Sequence, residues 1–142
     1  MPEGILRAAP LHSPPRILLA EDDRDMRQLL AAALRQDGYE VIEAESGGKL
    51  LVALAHQFLH TGHPDLVDLV VSDVRMPVCS GTQVLEQMRA ARWRTPVILM
   101  TAFGDAALRN RAKSLGAALF DKPFDVDELC KACRDLLAPV GS

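Results

Sequence analysis

The chain has no apolar stretch approaching the roughly 18 residues that a membrane-crossing helix needs, and residues 1–15 lack the apolar core of a secretory signal. The expected location is therefore the cytoplasm. Charge of one sign is also missing: 16 Lys and Arg stand against 19 Asp and Glu, a net charge of −3 that leaves no overall nucleic-acid footprint. Cysteine is sparse and odd in number, at 3, which argues against a disulfide framework and fits a reducing compartment. Cys130 and Cys133 are spaced as C-x-x-C, but they fall inside the helical pattern Val126, Leu129, Cys130, Cys133, Leu136, Leu137, where cysteine acts as a small hydrophobe. Histidine supplies no metal motif. His56 and His60 share a helix face and His63 follows, yet no Glu completes an H-E-x-x-H pattern, so a solvated helix end is the simpler reading. No G-x-G-x-x-G or phosphate-cradling loop follows the first apolar run, which weighs against a nucleotide-binding domain.

What is present fits one compact unit. The 142 residues, 49% of them hydrophobic, can bury a substantial core but leave no room for a second domain. Pro2, Pro10, Pro14 and Pro15 with little periodic apolar pattern mark residues 1–15 as an expected flexible leader. The domain is expected over 16–138, with 139–142 as a tail. Within it the pattern alternates: strands at 16–20, 39–43, 66–72, 96–100 and 117–120, and helices at 24–37, 47–61, 82–91, 105–115 and 125–138. Strands that are apolar throughout, such as Val97 to Met100, require a sheet covered on both faces, and one-sided helices such as that of Met26, Leu29, Leu30, Ala33 and Leu34 supply the cover. The expected architecture is an α/β fold with a five-stranded parallel, doubly wound sheet in the flavodoxin-like order 2-1-3-4-5.

Four of these apolar runs end in polar residues. The first meets Glu21, Asp22 and Asp23, the third Asp73, the fourth Thr101 and the fifth Asp121 and Lys122. Ligands of open parallel sheets bind beyond the carboxyl ends of the strands, so residues scattered along the chain can converge there. Acids that open a helix complement its dipole, which explains 21–23 in isolation. Carboxylates that converge raise one another's pKa unless a cation is present, and oxygen ligands select a hard cation such as Mg²⁺. A carboxylate beside Mg²⁺ can act as a nucleophile toward a phosphoryl group, with a hydroxyl and an ammonium balancing the charge on the phosphoryl oxygens. Pro123 after Lys122 favours an extended or turning backbone at the lysine.

In that order and spacing, Glu21-Asp22-Asp23, Asp73-x-x-Met76-Pro77-x-x-x-Gly81, Thr101-Ala102 and Lys122-Pro123-Phe124 resemble the receiver domain of two-component response regulators, over about 16–138. The resemblance implies a CheY-like signalling phosphoprotein in place of an enzyme with a small-molecule substrate. It implies that Asp73 takes a phosphoryl group from a sensor histidine kinase or histidine phosphotransfer protein. Mg²⁺ would be held by Glu21, Asp22, Asp73 and the backbone carbonyl of Arg75, with Asp23 a neighbour. Thr101 would move toward the phosphoryl group, Lys122 would pair with it, and the Lys122–Pro123 bond would be cis. Output would pass to an effector protein or a receiver dimer, without direct contact to nucleic acid or membrane.

The chain departs from the pattern where receivers carry an aromatic three residues before the lysine: Leu119 stands there and Phe120 follows. Leu119 is expected at the switch position, with Phe120 in the core. Arg75 and Phe103, each two residues beyond a site residue, are expected to restrict an attacking water. An aspartyl phosphohydrolase of the haloacid-dehalogenase type needs a second Asp two residues after the nucleophile, and position 75 is Arg. A receiver-like interaction module that is never phosphorylated is the alternative.

Overall fold

Each expected apolar run becomes a strand. The computed structural model describes residues 4–6, 10–61 and 67–138, with backbone alone for 57–61. The strands are β1 (Arg16–Ala20), β2 (Glu40–Ala44), β3 (Leu69–Asp73), β4 (Val97–Thr101) and β5 (Ala118–Asp121). Between and after them lie α1 (Arg24–Gln36), α2 (Gly47–Thr61), α3 (Gly81–Ala90), α4 (Ala106–Ser114) and α5 (Val126–Leu137). All pairings are parallel and the order is β2-β1-β3-β4-β5.

Strand alternation divides the core in two. Ile17, Leu19, Leu69, Val71, Ile98 and Met100 face α1 and α5, meeting Leu30, Leu34, Leu129, Cys133 and Leu136. Leu18, Val70, Val97 and Leu99 face the other way, toward Leu50 and Leu54 of α2, Val84, Leu85 and Met88 of α3, and Ala112 of α4. Nearly every β1, β3 and β4 side chain is buried, as a sheet covered on both faces demands. Cys130 and Cys133 lie in the α5 core, where burial pushes the Cys133 thiol up to about 12. A buried thiol of that kind is inert.

β1 and α2 keep the expected ends, whereas the other eight elements differ from the expectation by a residue or more. Tyr39 was expected to open β2, but its amide donates to the Leu34 carbonyl at 3.2 Å and so closes α1 instead. β3 begins at Leu69 and extends to Asp73, beyond the expected 66–72, because Asp73 stays in register with Met100. Asp105 and Asp125, expected inside helices, stand outside α4 and α5 as their N-caps, each accepting an amide hydrogen from the first turn. No described helix is long and apolar enough to cross a membrane.

Residues before β1 contact the domain. The buried carboxylate of Asp68 accepts the amide hydrogens of Leu11 and Arg16. Further upstream, the Leu6 amide donates to the Gly116 carbonyl at 2.9 Å.

Candidate functional site

Because parallel strands all point the same way, the ends of β1, β3, β4 and β5 open onto one rim. Glu21 follows β1 directly, and its amide donates to the Ala44 carbonyl at the end of β2. Glu21 is buried, Asp22 exposed and Asp73 buried, and carboxylate oxygens of all three lie within 4.8 Å of one another. Lys122 reaches over from the end of β5, its Nζ 2.7 Å from Glu21 Oε1 and 3.5 Å from Asp73 Oδ2. Its own amide donates to the Thr101 carbonyl at 2.7 Å, which fixes the lysine against the end of β4. The Lys122–Pro123 bond is cis.

The three consecutive acids separate by role. Asp23 is the N-cap of α1, its carboxylate accepting the Met26 amide hydrogen at 3.1 Å. The helix-opening explanation therefore holds for Asp23 and fails for Glu21, whose carboxylate is only 1% exposed. Burial, then the adjacent Asp73 carboxyl, pushes the Glu21 carboxyl up to about 7, against the opposing pull of Lys122. Burial by itself would lower the Lys122 ammonium, but the hydrogen bond to Glu21 and the charges of Asp73 and Glu21 outweigh it and hold it above its ordinary value. Glu21 Oε2 is buried without a hydrogen-bond partner among the described residues. A buried carboxylate oxygen with no donor, beside two more carboxylates, suits a small hard cation.

Thr101 is buried at the end of β4, and its Oγ1 accepts the Phe103 amide hydrogen at 3.1 Å. A hydroxyl that accepts one hydrogen bond still has its own hydrogen to donate. Arg75 lies in the loop after β3. Its guanidinium sits over the Phe103 ring, 4.4 Å from the centroid, so the β3–α3 and β4–α4 loops touch across the rim. Gly81 ends the β3–α3 loop with its amide on the Val74 carbonyl, and a Cβ there would sit 2.4 Å from the Asp73 carbonyl oxygen. Only glycine lets the loop close that tightly behind Asp73.

Two residues of consequence escaped the sequence reading. Arg27 donates to the Glu21 carbonyl at 2.9 Å and pairs with Glu43 at 3.3 Å, clamping the acidic turn to β2. Its place in α1, among solvent-facing positions, gave no signal beyond helical spacing. Val78 is 90% exposed with φ of 76°, an unusual backbone for a β-branched residue; no sequence pattern distinguishes it. The β4–β5 register puts Leu119 on the sheet face shared by Leu99 and Leu115. Phe120 takes the opposite face, edge-on to Phe124 with centroids 5.6 Å apart. His60 (its side chain) and His63 lie outside the described residues; among those described, the acidic triad is the one cluster suited to a metal.

The response regulator receiver domain model matches residues 17–134. Regulatory protein AtoC of Escherichia coli (strain K12) is 40% identical over 117 residues, which are 80% of this chain and 23% of that protein. Sporulation initiation phosphotransferase F of Bacillus subtilis (strain 168) is 32% identical over 123 residues, covering 86% of this chain and 93% of that one. The chain thus spans about a quarter of AtoC and of transcriptional regulatory protein GlrR, but nearly all of the Bacillus protein. Among solved structures, the non-phosphorylated HemR receiver domain from Leptospira biflexa aligns with a TM-score of 0.74 at 30% identity, covering 90% of this chain and 98% of that one. A CheY-like receiver domain protein from Methanospirillum hungatei JF-1 aligns with a TM-score of 0.76 at 24% identity, over 87% and 93% of the two chains, a likeness of fold. Sheet order, strand-end acids and sequence likeness agree, and the chain belongs to the response regulator receiver family.

Proposed function

We propose that Asp73 is a phosphoacceptor and that the domain is a phosphorylation-dependent switch. The observation that carries this reading is the convergence of Glu21, Asp22, Asp73 and Lys122 from three strand ends onto one spot. An Asp73 carboxylate oxygen would attack the phosphorus of a phosphohistidine on a sensor kinase or phosphotransfer protein. The P–N bond breaks, the imidazole leaves with the electron pair and takes up a proton, and an acyl phosphate remains on Asp73. The partner classes come from the family; a relative matched over 93% of its length, from Bacillus subtilis, is named a phosphotransferase.

Glu21, Asp22 and Asp73, with the Arg75 carbonyl, are the proposed Mg²⁺ ligands; when bound, the ion offsets charge on the phosphoryl oxygens during transfer. The chain's own groups do the rest. Lys122 is already charged and aimed at Asp73, so it can pair with a phosphoryl oxygen without first being protonated. Thr101 can donate its hydroxyl hydrogen to another. Movement of Thr101 would be passed along β4 and β5 to Leu119, which shares its side of the sheet. Arg75 and Phe103 roof the rim and would hinder water. Such a domain modifies only itself, in the cytoplasm.

Incubation with acetyl phosphate followed by intact-mass analysis tests the reading. One phosphate adduct that requires both Mg²⁺ and Asp73, and is lost in Asp73→Ala, is expected. A folded parent that forms no adduct with acetyl phosphate or a phosphorylated partner would make the domain a constitutive docking module.

A further inference from the structure

Arg27 and Arg35 lie eight residues apart on one row of α1, with the fully buried Ala31 between them. Alternation along β2 puts Glu43 on the side of the sheet that carries Val41 and faces α1. Both arginines reach it: Arg27 Nε lies 3.3 Å from Glu43 Oε1, and Arg35 Nη2 lies 3.1 Å from Oε2. Arg35 is tied further by its hydrogen bond to the Val41 carbonyl at 3.0 Å. The other arm of Arg27 points to the rim, where Nη1 donates to the Glu21 carbonyl at 2.9 Å. The Glu21 amide donates to the Ala44 carbonyl at 3.1 Å, so both polar groups of the Glu21 backbone are gripped. The Arg27 side chain is only 12% exposed. A cation buried to that extent is costly, and its charge alone would repel a second cation at the rim. Its contribution to the site is therefore geometric.

We propose that Arg27 is a positioning residue for the Mg²⁺ site: anchored on Glu43, its guanidinium fixes the Glu21 backbone and so aims the Glu21 carboxylate into the rim. Lys122 takes Glu21 Oε1, and Oε2 is left without a donor among the described residues. A side chain held in that way has its free oxygen available to a cation only while its backbone stays in place. Glu43 serves the same end without touching the rim, because it orients Arg27 and offsets its charge. Groups that orient metal ligands in this manner carry about 10–100-fold in metal affinity. The inference rests on the Mg²⁺ reading of Glu21, Asp22 and Asp73. It adds two residues, Arg27 and Glu43, that act on the ion through Glu21.

Titration of the metal-free full chain with Mg²⁺ in a calorimeter tests this, because position and charge predict opposite signs. Arg27→Met removes a cation beside the acids, so charge alone would tighten Mg²⁺ binding; loss of positioning is expected to weaken it about tenfold. Arg27→Lys keeps the charge and one donor group, and is expected to bind Mg²⁺ more tightly than Arg27→Met, where charge alone gives the reverse order. Glu43→Gln is expected to weaken binding by less, and the Arg27→Met/Glu43→Gln double variant to be no weaker than Arg27→Met, since Glu43 acts only through Arg27. Without metal, amide hydrogen exchange at Glu21 is expected to be faster in Arg27→Met and in Glu43→Gln than in the parent. Mg²⁺ binding in Arg27→Met equal to or tighter than the parent's, or fully additive losses in the double variant, would overturn the positioning role and leave the metal reading intact. A folded parent that takes up no Mg²⁺ would overturn both.

Discussion

At the scale of single residues, the site is governed by how Glu21 is held. Its carboxyl, pushed by burial and the adjacent Asp73 from the ordinary value of 4.5 up to about 7, is mostly protonated in the folded, metal-free protein at mildly acidic pH. The unfolded chain gives up that proton near 4.5, so metal-free stability is favoured below that value and declines as pH rises through about 7. A divalent cation held by Glu21, as proposed, would reverse the preference, because it would bind the ionised form. Thermal unfolding with chelator is expected to show a smaller Tm at pH 8 than at pH 5.5 from this group, and Mg²⁺ is expected to raise Tm more at pH 8. An equal Mg²⁺ effect at both pH values would contradict the assignment of Glu21 as a ligand. The Arg75–Phe103 contact yields a second prediction. An exposed cation–π pair contributes about 0.5–1 kcal/mol, so Phe103→Ala should speed loss of phosphate from Asp73 about two- to fivefold. Unchanged decay of the phosphorylated species would remove the roof from the account. The sequence showed which residue types stand at strand ends, but it could not separate Asp23, a helix cap, from Glu21, a buried carboxylate of the acidic cluster. That distinction depends on where α1 begins, and helix starts are soft in sequence.

At the scale of elements, periodicity located the ten helices and strands of the described residues, and turn chemistry moved the ends of eight of them. The shift of Tyr39 into the α1 cap and the exclusion of Asp105 and Asp125 from their helices each reflect one hydrogen bond winning over an apolar pattern. Ser80 forms a capping box with Gln83: each side chain accepts the other residue's amide hydrogen, at 3.1 and 2.9 Å. Because this cap opens α3 directly behind the Asp73 loop, Ser80→Ala should cost about 1 kcal/mol. Urea unfolding would show it as a lower midpoint with an unchanged slope. Arg89 was invisible to motif reading because its partners are backbone carbonyls, which carry no side-chain signature, and one of them lies 26 residues away. Its guanidinium donates to Leu115, Trp93 and Thr95 carbonyls, each at 2.8 Å, joining α3 to the β4 entry and the α4–β5 turn. Arg89→Met keeps the aliphatic bulk and strands buried acceptors, so a loss of about 1–3 kcal/mol is expected in the same unfolding measurement. A neutral result would mean that water replaces the guanidinium.

At the scale of the molecule, alternation of strand and helix was enough to demand a parallel doubly wound sheet, but not its strand order: the expected order 2-1-3-4-5, which the structure has, assumes a reversal of winding near β1. The packing of residues 4–6 was not legible, since Gly4, Ile5 and Leu6 carry no period and meet β5 only after the whole sheet has formed. The acidic site is the opposite case: its members stand more than a hundred positions apart, from Glu21 to Lys122, yet the fold rule for strand ends gathers them. What the sheet builds is therefore a single rim where acids, a hydroxyl and an ammonium meet, and the central claim is that Asp73 receives the phosphoryl group there. The direct measurement is to treat the protein with a phosphodonor and Mg²⁺, reduce it with borohydride, and read the peptide masses. An acyl phosphate is reduced to an alcohol, so residue 73 should appear as homoserine only after complete treatment. Homoserine at Asp22, or at no position in protein that has gained phosphate, would contradict the account.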